Sequence, residues 1–216
     1  MQWAGAEVHI RGVGQLVLGG LAEKRIHDND LGPCLEQCAR FASADAAGAD
    51  WVQMDEPVLA FDGDPKLHQA LARAYTELGD NAKGAKLLLT TYFDRLDPST
   101  MEQAAKLPVA GIHVDLCQRP WRLTDLLRQV GSDTVVSLGL VDGRNVWRTD
   151  LSTALDSAEA AATEIGRERL MIGPSCALLH VPLDLESETK LDDELKRWLA
   201  FAKQKLDELT LLARGV

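Results

Sequence analysis

The stretch Trp51-Val52-Gln53-Met54-Asp55-Glu56-Pro57 decides how the rest of the chain is read. Val52 and Met54 alternate with Gln53, the two-residue period of a strand that presents two different faces. Pro57 cannot continue a sheet ladder, so the strand stops there. Asp55 and Glu56 are left at its C-terminal end, where a parallel α/β fold builds its sites.

The same design recurs on both sides of this stretch. Downstream, Asp64 and Pro65 open a helix as N-cap and first helical residue. Leu67, Ala70, Leu71, Ala74 and Leu78 form its apolar stripe, and Gly79 ends it. Lys86–Phe93 is a strand apolar enough for burial on both faces. A helix over Ser99–Leu107, a strand over Val109–Leu116 and a helix over Trp121–Val130 follow. Next come a strand over Thr134–Val141, an alanine-rich helix over Leu151–Ile165 and a strand over Leu170–Ser175. Asp192–Ala213 predicts one long terminal helix, with Leu195, Trp198, Leu199, Ala202, Leu206, Leu209 and Leu212 at helical spacing. Upstream, Glu7–Leu18 reads as a strand running into Gly12-Val13-Gly14. Leu31–Ala47 reads as a helix, with Gly48 as its C-cap.

Strands alternating with helices mean βαβ units and a parallel sheet. No linker or low-complexity tract divides residues 1–216, which read as a single domain. Gly12-Val13-Gly14 lacks the third glycine of a dinucleotide fingerprint. The expected fold is α/β, a TIM-type (β/α)8 barrel that is incomplete, with about six βα units. Six parallel strands leave two open edges, and these predict self-association or complementation by a second chain.

Composition narrows the function classes. Of 216 residues, 46% are hydrophobic, and no run reaches the roughly 18 apolar residues of a membrane span. The formal net charge of −10 argues against a nucleic-acid footprint, which is basic. The N-terminus does not read as a signal peptide. Four cysteines do not form a disulfide framework at this length, and a reducing cytoplasm is the expected compartment. Cys34 and Cys38 share a helical face, either as a zinc half-site or as small buried apolar residues.

Polar residues collect at the strand ends. They are Asp55 and Glu56; Thr90, Thr91 and Tyr92; His113 and Asp115; Asp142, Arg144 and Asn145; and Ser175, Cys176 and His180. On a barrel they converge on one mouth. They serve either as a site or as a self-satisfied polar network. His113 and Asp115 stand two apart on a strand and point to one face. With Cys176 they form a weak candidate trio for a metal with an open position, against the alternative of a hydrogen-bonded His–Asp pair. Asp142-Gly143-Arg144-Asn145 reads as a tight turn in which Gly143 is free to take positive φ. Arg144 is available to clamp a carboxylate or phosphate, or to pair internally with Glu56 or Asp55.

At these residues the sequence resembles the N-terminal domain of cobalamin-independent methionine synthase. The matching segments are WVQMDEPVL (51–59), KLLLTTYFD (86–94), LPVAGIHVDL (107–116), SLGLVDGRNVWRTDL (137–151) and PSCALLHVPLDLESETKLDDELKRWLAFAKQKLDEL (174–209). They run in family order over roughly residues 49–214, and the first 48 residues match poorly. The resemblance implies two barrels in the family enzyme. The C-terminal one holds catalytic zinc, homocysteine and the reacting end of polyglutamyl methyltetrahydrofolate. The N-terminal one is a scaffold that helps to hold the folate. His113, Asp115 and Cys176 fall where the catalytic barrel has zinc ligands, with Asp115 in place of a cysteine, so a lapsed metal site is implied. No catalytic residue and no bound cofactor are expected in this chain.

Three functions follow. One is the non-catalytic barrel of a methyltransferase that makes methionine from homocysteine and a methylfolate, partnered by a second chain or by the missing C-terminal barrel. Another is a standalone scaffold or binding module with the barrel fold and no chemistry. The third is a small metalloenzyme using His113, Asp115 and Cys176.

Overall fold

A computed structural model describes residues 6–11, 48–60, 65–81, 84–93, 96–118 and 123–216. The expected helix over residues 31–47, the Cys34–Cys38 pair, Gly12-Val13-Gly14 and the Asp64 cap lie outside the described residues. Six strands form one sheet: β1 (Ala6–Arg11), β2 (Ala49–Asp55), β3 (Lys86–Thr90), β4 (Gly111–Asp115), β5 (Val135–Val141) and β6 (Leu170–Pro174). Every neighbouring pair is parallel, and the spatial order is the chain order, β1 to β6.

Helices bridge successive strands: α1 (Pro65–Asn81), α2 (Pro98–Ala104), α3 (Leu123–Gln129) and α4 (Leu151–Ile165). The two-residue strand period sorts the side chains. Val52, Met54, Leu87, Leu89, Ile112, Val114, Val136 and Leu138 are buried on the helix side with Leu71, Leu78, Met101, Leu126 and Ala158, forming the main core. The opposite face carries Gln53, Leu88, Thr90, His113, Ser137 and Met171. One register row crosses the whole sheet through Arg11, Asp55, Thr90, His113, Ser137 and Met171. Most polar groups of the inner face lie on that row.

Local chemistry sets the helix ends. Asp97 caps α2, accepting from the backbone N–H groups of Ser99 and Thr100 ahead of Pro98 at the first turn. Asp150 caps α4 in the same way, and Gly166 ends it at φ 85°, a conformation that favours glycine.

Two expectations require correction. Strand β3 ends at Thr90 rather than Phe93, and Phe93 takes φ 80°. The long terminal helix is two helices, α5 (Asp193–Lys196) and α6 (Ala202–Gly215). Between them the chain pairs with the segment after β5: Arg148 N donates to Trp198 O at 2.9 Å and Ala200 N to Val146 O at 2.8 Å. These bonds capture backbone groups that a continuous helix would have used itself. The buried face of α6 is then Lys205, Glu208 and Leu212, and Leu206 is exposed.

Candidate functional site

Strand β2 splits its two carboxylates. Asp55 turns to the inner face, where Gln53 Nε2 donates to its Oδ1 at 2.7 Å and the Tyr92 hydroxyl also bonds it. Glu56 turns to the helix side, fully buried, and accepts from the Tyr75 hydroxyl of α1 at 3.1 Å. Burial, with Glu56 second, holds the Tyr75 phenol well above its usual range, so it stays a donor. Burial likewise raises the Tyr92 phenol, with Asp55 adding to it.

The inner face encloses a cavity of ≈ 410 Å³. Gln53, Asp55, Thr90, Tyr92, His113, Ser137 and Cys176 supply its polar lining, and Leu88, Met171, Ile172 and Leu206 its apolar wall. Thr90 is 4% exposed, and its Oγ1 has no hydrogen-bond partner among the described residues.

His113 is held at both nitrogens. Nδ1 lies 2.8 Å from Ser137 Oγ, and the other nitrogen bonds the Ser175 carbonyl. A carbonyl only accepts, so Nε2 carries the proton and Nδ1 takes the hydroxyl hydrogen of Ser137. Burial lowers the imidazole pKa to about 4, with the Ser175 bond working in the opposite direction. The ring is uncharged at neutral pH. Gly139 makes room for it: a Cβ there would stand 2.8 Å from Ser175 Cα and 3.1 Å from His113 Nε2.

Asp115 does not line the cavity with His113. It is buried and accepts from the backbone N–H of Cys117 at 2.8 Å, and from those of Gln118 and Phe93. Burial raises its pKa against those three bonds. Its carboxylate gathers the chain ends of β3 and β4.

Asp142 and Asn145 are consumed by their own turn. Arg144 N and Asn145 Nδ2 each donate to Asp142 at 2.7 Å, and Trp147 N donates to Asn145 Oδ1 at 3.0 Å. Gly143 does not take the positive φ expected of it. Glycine is needed there for space, because a Cβ would stand 2.7 Å from Cys176 O. Arg144 makes no ion pair with Glu56 or Asp55; its guanidinium carbon sits 5.2 Å from the Phe93 ring centroid. Phe93 meets Tyr92 and His180 edge-on, at centroid separations of 4.7 and 5.8 Å.

The donor set does not fit zinc. Both His113 nitrogens are engaged, and Asp115 stands apart from the cavity that His113 and Cys176 line. Among the described residues no three His, Cys, Asp or Glu side chains are grouped to hold a metal ion.

Sequence reasoning passed over Gln53, Ser137, Lys205 and Glu208. Gln53 and Ser137 carried a signal, being polar residues in otherwise apolar strands at the inward parity. Lys205 and Glu208 carried none, since charged residues on a terminal helix are ordinarily solvated. Here Lys205 is fully buried and Glu208 nearly so. Lys205 Nζ donates to Trp147 O at 3.0 Å, and Glu208 Oε1 accepts from Thr149 N at 3.2 Å.

Residues 17–166 match the family described as "Cobalamin-independent synthase, N-terminal domain". A 5-methyltetrahydropteroyltriglutamate–homocysteine methyltransferase of Acidiphilium cryptum is 51% identical over 85% of this chain and 24% of its own length. The enzyme of the same name from Parvibaculum lavamentivorans is 50% identical over 79% of this chain and 22% of its own. The chain thus spans about a quarter of the length of these curated relatives. A Listeria monocytogenes protein described as a vitamin-B12-independent methionine synthase superposes with TM-score 0.68 at 16% identity, over 98% of this chain and 63% of that one. A Methanosarcina mazei methyltransferase superposes at 0.66 with 11% identity, over 96% and 58%. At these identities the two structures speak for the fold alone.

Proposed function

The chain belongs to the cobalamin-independent methionine synthase family, and we propose that it acts as part of a non-catalytic N-terminal barrel. The reaction it serves is methyl transfer from a polyglutamyl 5-methyltetrahydrofolate to homocysteine, giving methionine in the cytoplasm. The names and lengths of the relatives support this reading. So does the sheet, because parallel strands in chain order with helical crossovers are the pattern of a (β/α)8 barrel. On this reading about six βα units are present, and the missing C-terminal barrel or a second chain supplies zinc and the homocysteine site.

One observation carries the non-catalytic role: His113 has no lone pair or proton to spare. Methyl transfer to homocysteine needs a thiolate nucleophile, and zinc is the family's means of making one at neutral pH. His113, Asp115 and Cys176 do not fit that metal, so no step is routed through it here. What the residues do is hold structure. Ser137 and Ser175 fix the imidazole, Asp115 ties off two strands, and Tyr92 and Gln53 orient Asp55 over the cavity.

The test is an assay of the purified chain for methionine from homocysteine and triglutamyl methyltetrahydrofolate, with zinc added and no other protein. No methionine is the expected result. Turnover abolished by Cys176→Ala would overturn the reading and make the trio an active site.

A further inference from the structure

Strand β6 is the last of the sheet, and β5 is its one strand neighbour among the described residues. Its residues Leu170, Met171 and Ile172 line a groove of ≈ 550 Å³ whose opposite wall is α6. In a right-handed βαβ unit the helix after a strand packs between that strand and the next. Helix α4 does so: it follows β5 and lies on both β5 and β6. Helix α6 follows β6 and lies on it, but Leu206, Leu209 and Ala213, at helical spacing on one face, overhang the groove. Leu206 is 55% exposed there. The groove also meets the inner cavity, because Met171, Ile172 and Leu206 line both. An extended segment seated in it therefore turns one row of side chains to α6 and the other to the cavity, the two faces of a strand.

We propose that this groove is the seat of one further parallel strand, supplied by a segment of the family polypeptide outside residues 1–216. This chain spans about a quarter of the length of its relatives. A strand added here satisfies edge donors and acceptors of β6 that a bare edge leaves open. Its chemistry follows from the walls. Alternate residues are apolar, against Leu206 and Leu209. Every existing strand pair is parallel, so the added strand starts beside the start of β6, next to Arg167. Arg167 and Arg214 line the groove, no lining side chain is a carboxylate, and neither arginine is ion-paired with a described residue. The added strand accordingly begins with an acidic residue. The seat rests on the barrel reading above, and the two fail separately. Methionine made by the chain alone would end the non-catalytic reading without filling the groove, and a groove that takes no strand would leave an inactive chain inactive.

The experiment tiles the whole Acidiphilium cryptum relative, 51% identical, as overlapping peptides of about 15 residues, enough for one strand with flanks. Each is titrated against the full chain by fluorescence anisotropy. The expected result is saturable binding of a peptide from outside the part that aligns with this chain, with alternating apolar residues after an acidic start. Amide exchange in the complex should slow over Leu170–Pro174. Leu206→Glu should weaken binding by about tenfold or more, the loss of a buried leucine contact. Arg167→Glu should weaken it as well, and Arg167→Lys should stay near the unmodified chain. Leu206 and Arg167 are exposed, so these variants should keep the wild-type circular dichroism. Binding confined to peptides from the aligned part would make the groove a self-pairing edge and overturn the proposal. Binding unmoved by Leu206→Glu, unchanged exchange over β6, or no saturable binding along the tiles would each overturn it too.

Discussion

His113 Nδ1 lies 2.8 Å from Ser137 Oγ, a register partner on the neighbouring strand. The bond occupies one nitrogen of a buried imidazole whose tautomer the Ser175 carbonyl sets. Ser137→Ala would leave a buried ring nitrogen without its donor, an unsatisfied group that costs about 1–3 kcal/mol. Urea denaturation at pH 7 should show that loss, and Ser137→Thr, which keeps the hydroxyl, should recover part of it.

The same imidazole should make the fold sensitive to acid. Its folded pKa of about 4 lies below the unfolded value near 6.5. The unfolded chain therefore binds more protons between those values, and stability must fall as pH falls from about 6.5 to 4. Between pH 7 and pH 5 the linkage amounts to roughly 2 kcal/mol. Denaturation midpoints across that interval should slope accordingly, and His113→Gln should flatten the slope. An unchanged slope in the variant would show that other groups carry it.

Gly139 and Gly173 share the inner face and differ in the space around them. A Cβ on Gly139 would meet Ser175 Cα at 2.8 Å and Val114 O at 3.0 Å, both backbone, whereas at Gly173 the nearest atom is His113 Cε1 at 3.6 Å. Gly139→Ala should therefore destabilise by about 1–3 kcal/mol or more, and Gly173→Ala should be close to neutral. Equal effects in thermal melts would contradict this contact geometry.

Asp97 offers a second pH test with the opposite kind of group. Partial burial would raise its pKa, but bonds from the side chains and backbone of Thr100 and Ser99 outweigh that and lower it to about 2. Its capping contribution is thus complete above the unfolded carboxylate value and is lost as pH falls through about 4 toward 2. Asp97→Ala should cost about 1 kcal/mol at pH 7. Asp97→Asn should keep the cap and remove its share of the acid sensitivity.

Much of the fold was legible because its signals are local. The stripe on α1 and the apolar run of β3 each state their element within a few residues. The terminal helix was misread because what breaks it lies far off in sequence: Val146 and Arg148 claim the backbone of Trp198 and Ala200. Parity pointed His113 and Asp115 to one face, but it could not show that His113 is bonded at both ends or that Asp115 serves backbone N–H groups. Those bonds depend on which strands are neighbours. Lys205 was unreadable for the same reason, since its acceptor is a carbonyl on another segment.

Asp55 and Glu56 are consecutive letters that belong to different compartments, one wetting the cavity and the other riveted to α1. Strand β2 therefore carries a parity constraint on mutation. Insertion or deletion of a single residue between Ala49 and Asp55 would send each carboxylate to the other's side, stripping both Tyr75 and Tyr92 of the acceptors they hold. Length changes in this strand are tolerable only in pairs, whereas the turns that follow the strands carry no such restriction. Among homologous genes, indels should avoid this stretch even where point substitutions do not.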